Sequence, residues 1–375
     1  MNHDTVRQIL GLARWAPSGD NTQPWRFEVR AADHIVVHAF DTRRHCLYDF
    51  DGQASQLSVG ALLETLRIAA SALGQAAQIA RRNGEPDEFP VFDVRLQPTE
   101  AGAAADPLHA AIHERTVQRK PLGTRRIGAD DKATLAEAIG PNHRVLWFET
   151  GAERLRWAWL AARSAKIRLT IPEAYTVHRD VIAWGARYSD DRIPDQALGA
   201  GALSLHSMRW ALGSWRRVRR MNRYLGGTLA PRLELDLIPG LRCGAHFAIV
   251  SAHEPAGIDD QVAAGAAVQR FWLTATRVGL QLQPQYTPLV FAAYARRGVA
   301  FTADRAAMTR ANEVRAALEH LLGAQAATAA VFLGRIGHGP AATARSLRLP
   351  LDRLHWSPEA MAAIAEKAAH RRDLV

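Results

Sequence analysis

Two long helical runs, far apart in the chain, constrain the fold more than any other feature of this sequence. Gln56–Gly74 (QLSVGALLETLRIAASALG) and Gln261–Gly279 (QVAAGAAVQRFWLTATRVG) align without a gap. Each begins with Gln, has Gly at its fifth position and ends with Gly at its nineteenth. Both runs are largely apolar around the helix, so we predict that both helices are buried. With strands on either side of each helix, the pair indicates two α+β halves packed as an internal pseudo-dimer. The alternative is two unrelated buried helices.

The remaining periodicity predicts the elements around these two helices. The predicted strands are Trp25–Val29, His34–Phe40, Pro90–Leu96, Arg144–Phe148, His246–Ser251 and Thr328–Leu333. The predicted helices are Val6–Arg14, Gln53–Leu73, Pro107–Arg115, Asp130–Ile139, Gly151–Ile171 (closed by Pro172), Asp259–Val278 and Ala303–Leu322. The length of 375 residues corresponds to two domains at roughly 150 residues each. We predict a first half at 1–97, a linker at 98–106 and a second half at 107–375, with an irregular Arg- and Trp-rich insertion at about 185–242.

Composition places the chain among ordinary folded proteins. Apolar residues make up 48% and charged residues 22%, which excludes disorder as the main state. The net charge of +10 favours phosphate-bearing partners. Two cysteines, Cys46 and Cys243, are too few for a disulfide framework or a four-thiolate zinc site. The sequence shows neither a signal peptide nor an apolar stretch long enough to span a bilayer, so we expect a soluble, cytoplasmic protein.

The sequence lacks the familiar catalytic signatures. It contains no dinucleotide-binding glycine motif, P-loop, nucleophile elbow or H-E-x-x-H helix. His109 and His113 stand four residues apart on a predicted helix, but no third ligand is in register, so we interpret them as a solvated helix face. Paired carboxylates at Asp190–Asp191 and Asp259–Asp260 fit capping better than acid–base work. We therefore predict neither a catalytic side chain nor a metal site.

A turn and two cationic clusters remain as candidate functional features. Pro17–Asn21 (PSGDN) offers free backbone N–H groups and small side chains, which suit contact with a flat polar ring. Arg115–Pro121 (RTVQRKP) and Arg345–Pro350 (RSLRLP) each combine guanidinium groups with a hydroxyl. Guanidinium forks suit a phosphate monoester because they form bidentate, charge-assisted hydrogen bonds. A basic surface loop would explain either cluster taken alone.

These features coincide with motifs of a known family. Ala13–Phe27 (ARWAPSGDNTQPWRF) resembles the A-P-S-x-x-N-x-Q-P-W signature of the nitroreductase superfamily of FMN proteins. Arg115–Pro121 resembles the family's R-[ST]-x-x-[RK] motif, and Gly279–Thr287 (GLQLQPQYT) resembles the loop that runs past the flavin ring. Arg348–Pro350 resembles the C-terminal arginine that grips the flavin phosphate. The first motif occurs only in the first half and the others only in the second. This order is similar to tandem single-chain members, including the nitroreductase-like domain of ThiF-fused molybdopterin-synthesis proteins.

The resemblance implies a nitroreductase-like fold with one complete FMN site between the halves, and therefore one FMN per chain. The residues that it implies for the phosphate are Arg115, Thr116, Arg119 and Arg348, with Lys120 and Arg345 as secondary candidates. The residues that it implies for the ring are Pro17, Ser18 and Gly19 from the opposite half, Asn21 as a brace of that turn, and the loop Pro284, Gln285, Tyr286 and Thr287. The backbone N–H groups near Tyr286 and Thr287 are implied to face the flavin N5.

The resemblance also implies an activity. Hydride from NADH or NADPH would pass through the flavin N5 to an electron-poor small molecule in a ping-pong cycle. The alternative from another class is a flavin-binding or flavin-storage protein with a closed lid and little turnover. A third, weaker interpretation is a basic nucleic-acid-binding protein, for which no reading module is recognisable. We expect no nucleic-acid partner, no membrane span, and a monomer that works as an internal pseudo-dimer, with a further oligomer possible.

The insertion contains one amphipathic pattern. In Met208–Leu225 (MRWALGSWRRVRRMNRYL), apolar residues recur every three or four positions, and Arg216, Arg217, Arg219, Arg220 and Arg223 occupy much of the rest. A packed helix with solvated cations explains this pattern, and so does a lid over the flavin, a membrane-surface helix or a nucleic-acid footprint. Among the functional alternatives we favour the lid, because the insertion interrupts the half that supplies most of the implied cofactor contacts.

Overall fold

A computed structural model describes residues 3–100 and 102–370, which form an α+β protein. Its strands are β1 (Trp25–Ala31), β2 (His34–Ala39), β3 (Gln75–Arg81), β4 (Val91–Pro98), β5 (His143–Phe148), β6 (Ile182–Ala183), β7 (Tyr188–Ser189), β8 (Ile193–Pro194), β9 (Ala245–Ser251), β10 (Gln281–Pro284), β11 (Ala330–Gly337) and β12 (Arg345–Ser346). Its helices are α1 (His3–Ala13), α2 (Gln53–Ala72), α3 (Ala129–Ala138), α4 (Gly151–Arg168), α5 (Pro172–Val181), α6 (Ala202–Leu212), α7 (Trp215–Tyr224), α8 (Leu229–Pro231), α9 (Ile238–Leu241), α10 (Ile258–Arg277), α11 (Thr287–Arg297), α12 (Arg305–Leu322), α13 (Ala324–Ala329) and α14 (Pro358–His370).

The chain forms two compact units that interleave along the sequence. The first comprises the described parts of Met1–Arg115, Ala256–Arg277 and Leu347–Val375, and the second comprises Thr116–Pro255 and Val278–Ser346. The compact units therefore differ from the two consecutive halves, 1–97 and 107–375, that the sequence suggested. The helix α10 belongs to the first unit although the strands on either side of it belong to the second. The segment 98–106, expected to be a linker, also lies in the first unit.

The two main sheets share one topology. In the first unit the strand order is β1-β2-β4-β3, and in the second it is β5-β9-β11-β10. Every neighbouring pair in both sheets is antiparallel. In each case a twenty-residue helix, α2 or α10, follows the second strand of the sheet and precedes an edge strand. Matching order, direction and helix position are what a duplicated α+β fold produces.

The helices α2 and α10 pack against each other through the two glycines that the sequence alignment placed in register. A Cβ added to Gly60 would lie 1.9 Å from the carbonyl oxygen of Val262, and one added to Gly265 would lie 2.0 Å from that of Leu57. Gly60 and Gly265 are the fifth residues of the aligned runs, and Leu57 and Val262 are the second. The close contact is therefore reciprocal, position five against position two in both directions, as at a two-fold interface.

Polar contacts between these helices repeat the same reciprocity. Gln269, at position nine of its run, donates from Nε2 to Oγ1 of Thr65 at position ten, over 2.8 Å. Arg270, at position ten, donates from Nη1 to Oε1 of Glu64 at position nine, over 2.9 Å. Thr65 and Gln269 are fully buried, so this hydrogen bond forms away from water, where it satisfies groups that would otherwise be costly to bury. The predicted burial of both helices is confirmed.

The insertion is more regular than the sequence suggested. Residues 185–242 were expected to be irregular, but α6, α7 and the continuous run from α8 through the π-helix Arg232–Leu237 to α9 occupy much of that range. The amphipathic pattern of Met208–Leu225 is divided between two helices, α6 and α7, which are separated at Gly213 and Ser214. The apolar residues of α7 other than Tyr224 are half-buried, the ring of Trp215 lies 5.6 Å from that of the buried Tyr175, and the five arginines of α7 are exposed.

Three smaller differences have local causes. The strand β3 was missed because QAAQIAR contains only one β-branched residue, and only its pairing with β4 makes it a strand. The expected helix Pro107–Arg115 is limited to a 3₁₀ turn at Pro107–Ala111, capped by the side chain of Asp106. Pro172 does not merely end α4, because it begins α5 at the position where its missing N–H costs nothing. The other predicted strands and helices are confirmed to within a few residues.

Candidate functional site

The turn that follows α1 has an unusual backbone. Asp20, Asn21 and Gln23 adopt positive φ angles of 49°, 61° and 48°, a region that side chains other than glycine rarely occupy. The backbone N–H of Gln23 donates to the hydroxyl of Ser18 over 3.0 Å, which closes the turn on itself. Asn21 and Gln23 are buried. A turn of this kind persists only when its surroundings hold it, and such turns concentrate at ligand sites.

Arg348 supplies part of that support. Its side chain is 7% exposed, its Nε donates to the carbonyl of Ala16 over 2.9 Å and its Nη1 donates to Oδ1 of Asn21 over 3.0 Å. The next residue, Leu349, donates its backbone N–H to Oε1 of Gln23 over 2.8 Å. The C-terminal segment therefore clamps both ends of the turn, which is the brace expected of Asn21 but made through an arginine.

Arg115, about a hundred residues after the turn in the sequence, contacts the residues that lead into it. Its side chain is 3% exposed, and its Nη2 donates to the carbonyl of Trp15 over 2.8 Å. The guanidinium carbon lies 4.7 Å from the centre of the Trp272 ring, a cation–π contact that fixes the plane of the group. Because Trp15 and Ala16 are adjacent, the guanidiniums of Arg115 and Arg348 hydrogen-bond to neighbouring peptide units.

The chemistry of these donors fits the phosphate of FMN. The acceptors of Arg115 and Arg348 named above are backbone carbonyls and a side-chain amide oxygen, and these hydrogen bonds fix the orientation of the two guanidiniums. Guanidinium groups suit a phosphate because they can donate bidentate, charge-assisted hydrogen bonds to it. At Gly19 an added Cβ would meet nothing within 4 Å, so the face of the turn beside it is open. Small residues beside an open face suit the approach of a flat ring.

The placement of these groups differs in one respect from the expectation. The turn was expected to face the arginines from the opposite half of the pseudo-dimer, but Arg115, Arg348 and Pro17–Asn21 all belong to the first unit. The other implied residues, in the second unit, are Thr116, Arg119, Lys120, Pro284, Gln285, Tyr286, Thr287 and Arg345.

Within the second unit, the segment after Thr116 runs beside the loop implied to pass the flavin ring. Val117 forms a parallel β-bridge with Leu282, and the N–H of Gln118 donates to the carbonyl of Leu282 over 3.0 Å. Arg119 is turned toward a different partner, since its Nη1 donates to the carbonyl of Ala197 over 3.1 Å. Arg345 lies in β12, which pairs with β7, and burial lowers the pKa of its guanidinium.

The loop itself is held by two residues that the sequence analysis did not single out. Arg335, in the central strand β11, is fully buried, and its Nε donates to Oε1 of Gln283 over 2.6 Å. Its Nη2 donates to the carbonyls of Arg119 and Lys120 over 2.7 and 2.9 Å. Burial lowers the pKa of Arg335 to about 10. One guanidinium thus ties the Arg115–Pro121 segment to β10. The available signal was a lone charge inside the apolar strand AVFLGRIG.

His246 holds the second glutamine of that loop, Gln285. Its Nδ1 lies 2.8 Å from Oε1 of Gln285, its Nε2 lies 2.8 Å from the carbonyl of Gly240, and its ring stacks on that of Trp157. Burial lowers the pKa of His246 to about 4, so the ring is neutral at pH 7 and carries one N–H. Only one of the two contacts can then use the histidine proton. With Nε2–H donating to Gly240, the amide of Gln285 must present its NH₂ to Nδ1.

Residues 3–100 and 102–370 contain no cluster of three or more His, Cys, Asp or Glu side chains arranged to hold a metal ion. No helix within those same ranges is both long and apolar enough to cross a membrane.

Comparisons with known proteins point in one direction. No protein-family profile matches the chain. A Mycobacterium tuberculosis protein named "Putative NAD(P)H nitroreductase Rv3131" is 28% identical over 185 residues, which cover 49% of this chain and 52% of that protein. The "Putative NAD(P)H nitroreductase acg" of the same organism is 33% identical over 122 residues, 32% of this chain and 36% of the relative. The chain thus matches about half, or less, of the length of these curated relatives.

Solved structures give a weaker likeness. A "Nitroreductase-like Family Protein" from Bacillus cereus aligns with a TM-score of 0.35 at 15% identity, covering 69% of this chain and 100% of the other. A protein from Anabaena variabilis described as a "putative nitroreductase" aligns with a TM-score of 0.36 at 12% identity, covering 82% of this chain and 69% of the other. The two Mycobacterium tuberculosis relatives named above are matches in which a nitroreductase name accompanies sequence similarity.

Proposed function

We propose that this protein is an FMN-dependent NAD(P)H oxidoreductase of nitroreductase type that acts on electron-poor small molecules. The observation that carries the proposal is the meeting of Arg115, Arg348 and the strained Pro17–Asn21 turn in one unit. Arg115 and Arg348 are 233 positions apart in the sequence, and the turn lies almost a hundred residues before Arg115. The names of the curated relatives, which are putative NAD(P)H nitroreductases, support the nitroreductase part of this proposal.

Different residues would bind the phosphate and the ring of FMN. Arg115 and Arg348 would neutralise the phosphate, because their guanidiniums are already fixed by carbonyls of adjacent residues. Ser18 and Gly19 would line the ring, since the turn is open beside Gly19. Bound FMN supplies reversible two-electron redox chemistry, so the protein need only bind, orient and shield it. Roles for Thr116, Arg119, Arg345 and the loop Pro284–Thr287 remain proposals that rest on the motifs.

The proposal is tested by charge removal at the two clamps. We expect Arg115→Met and Arg348→Met each to weaken FMN binding by roughly 10- to 100-fold, the usual loss for one hydrogen bond to a charged group. Arg30→Met is the matched control, because Arg30 is an exposed arginine paired with Glu28 on β1. FMN affinity is measured by titration of the cofactor-free proteins, with melting temperatures recorded to exclude unfolding. Wild-type affinity in both folded clamp variants would refute the assignment of the clamp.

A further inference from the structure

A groove in the second unit contains none of the residues assigned to FMN. It lies between α4 and α12, with Arg232 of the π-helix at one side, and has a volume of about 590 Å³. This volume falls in the range of roughly 300 to 1,000 Å³ that is typical of small-molecule sites. The proposed oxidoreductase function makes no use of the groove.

The floor of the groove is apolar. Leu155, Trp159 and Leu160 of α4 face Ala317 and Leu321 of α12. Leu155 and Trp159 are four residues apart on one helix face and are 43% and 47% exposed, respectively. An exposed Trp beside an exposed Leu in a concave surface is unusual for a solvated helix pair and favours contact with an apolar ligand.

The walls of the groove carry a large excess of positive charge. The cations that line it are Arg156, Arg163, Lys166, Arg232 and Arg310, with His320 beside them. The carboxylate among the lining residues is Glu313. Arg232 is held in place because its Nε donates to the carbonyl of Ala162 over 2.7 Å. Burial lowers the pKa of its guanidinium, the nearby Asp236 carboxylate opposes that shift, and Arg310 adds to it.

Two cations elsewhere on the same helices are paired, whereas three of the cations that line the groove are not. Arg168 of α4 lies 3.5 Å from Asp236, and Arg315 of α12 lies 2.9 Å from Glu319. Among the residues that the structure describes, Arg163, Lys166 and Arg310 form no ion pair. Like charges held together around a groove repel one another, and an anionic ligand would remove that repulsion.

We propose that this groove binds an amphipathic anion, an organic acid with an apolar body on the Leu155–Trp159 floor and its carboxylate among the arginines. Charge complementarity and the apolar floor together select this class, because a polar anion would leave the floor exposed and a neutral lipid would leave the cations unpaired.

The test is isothermal titration with dodecanoate, with dodecyltrimethylammonium as the chain-matched cation. We expect dodecanoate to bind at one site per chain and the cation to bind at least about tenfold more weakly. Arg310→Glu and Arg163→Glu should each weaken dodecanoate binding by about tenfold or more. Arg219→Glu on the exposed helix α7 changes the net charge equally and should alter it by less than about twofold. Ala317→Trp fills the floor without changing charge and should also abolish binding.

Several outcomes overturn the proposal. Equal affinity for the cationic and anionic amphiphiles would show that charge does not select the ligand. An equal loss in Arg219→Glu and Arg310→Glu would show that only net charge matters. Unchanged binding in Ala317→Trp, with its melting temperature intact, would place the ligand elsewhere. A dimer that Arg310→Glu dissociates, in a protein that binds no dodecanoate, would assign the groove to a second copy of the chain.

Discussion

Replacing Gly60 by alanine tests the contact between α2 and α10. The new Cβ would lie 1.9 Å from the carbonyl oxygen of Val262, and ordinary contact begins near 3.4 Å, so the helices must separate by 3.4 − 1.9 = 1.5 Å at that point. The obstacle is backbone of a long helix, which cannot rotate away as a side chain can. Overpacking of this kind costs about 3 kcal/mol, and the better helix propensity of alanine returns about 1 kcal/mol. We expect a net loss of stability of about 2 kcal/mol.

The matched control for Gly60→Ala is Gly11→Ala in α1, where an added Cβ meets nothing within 4 Å. Only the propensity gain applies there, so this variant should be more stable by up to about 1 kcal/mol. Urea unfolding followed by circular dichroism gives both values. The double variant Gly60→Ala/Gly265→Ala should lose less than the sum of the single losses, because one opening of the helix pair relieves both clashes. A Gly60→Ala protein as stable as Gly11→Ala, or strict additivity of the two losses, would refute the reciprocal contact.

Further predictions concern the cofactor and two buried groups. Saturating titration should give one FMN per chain, because the turn motif occurs once in the sequence; two FMN per chain would contradict this. Anaerobic NADH or NADPH should bleach the bound flavin, and a flavin that stays yellow with both would favour storage over reduction. His246 has a folded pKa of about 4 against an ordinary value of 6.5. The unfolded state therefore takes up its proton first, and stability falls by about 3 kcal/mol as the pH drops from about 6.5 to 4. His246→Gln should remove this part of the pH dependence of thermal unfolding, and an identical pH profile in both proteins would show that His246 is not buried neutral. Burial raises the pKa of Cys243 to about 11, so in Cys46→Ser protein at pH 8 iodoacetamide should alkylate Cys243 only after unfolding, as mass spectrometry would show.

The sequence predicted those helices and strands whose hydrophobic periodicity is strong within the element itself. Strong periodicity is present in the strands β1 and β2 and in the helices α2 and α10. The two glycines that the sequence alignment placed in register lie where those helices contact each other. The strand β3 could not be predicted from the sequence because its residues have low strand propensity, and it forms a strand through its pairing with β4. The partition into units was missed because it depends on where α10 packs, which no window of sequence contains.

The candidate site shows the same limit. The motifs identified Arg115, Arg348 and the turn, but they could not show that the two arginines donate to carbonyls of adjacent residues in one unit. Arg335 and His246 were missed because their importance lies in what they hold, Gln283 and Gln285, rather than in any motif of their own. Buried polar residues in apolar strands are the residue types for which such partners should be sought.

The interleaving of the first unit also bears on when it can form during synthesis. Arg115 leaves the ribosome 233 residues before Arg348, since 348 − 115 = 233, and α10 emerges between them. At a synthesis rate of roughly 5 to 20 residues per second, Arg348 is made on the order of tens of seconds after the turn that it clamps. Until α10 emerges, α2 lacks the helix that covers Gly60, so a nascent chain exposes that apolar face. On the proposed function, the cofactor would therefore bind to the clamped turn late, after nearly all of this sequence has been made.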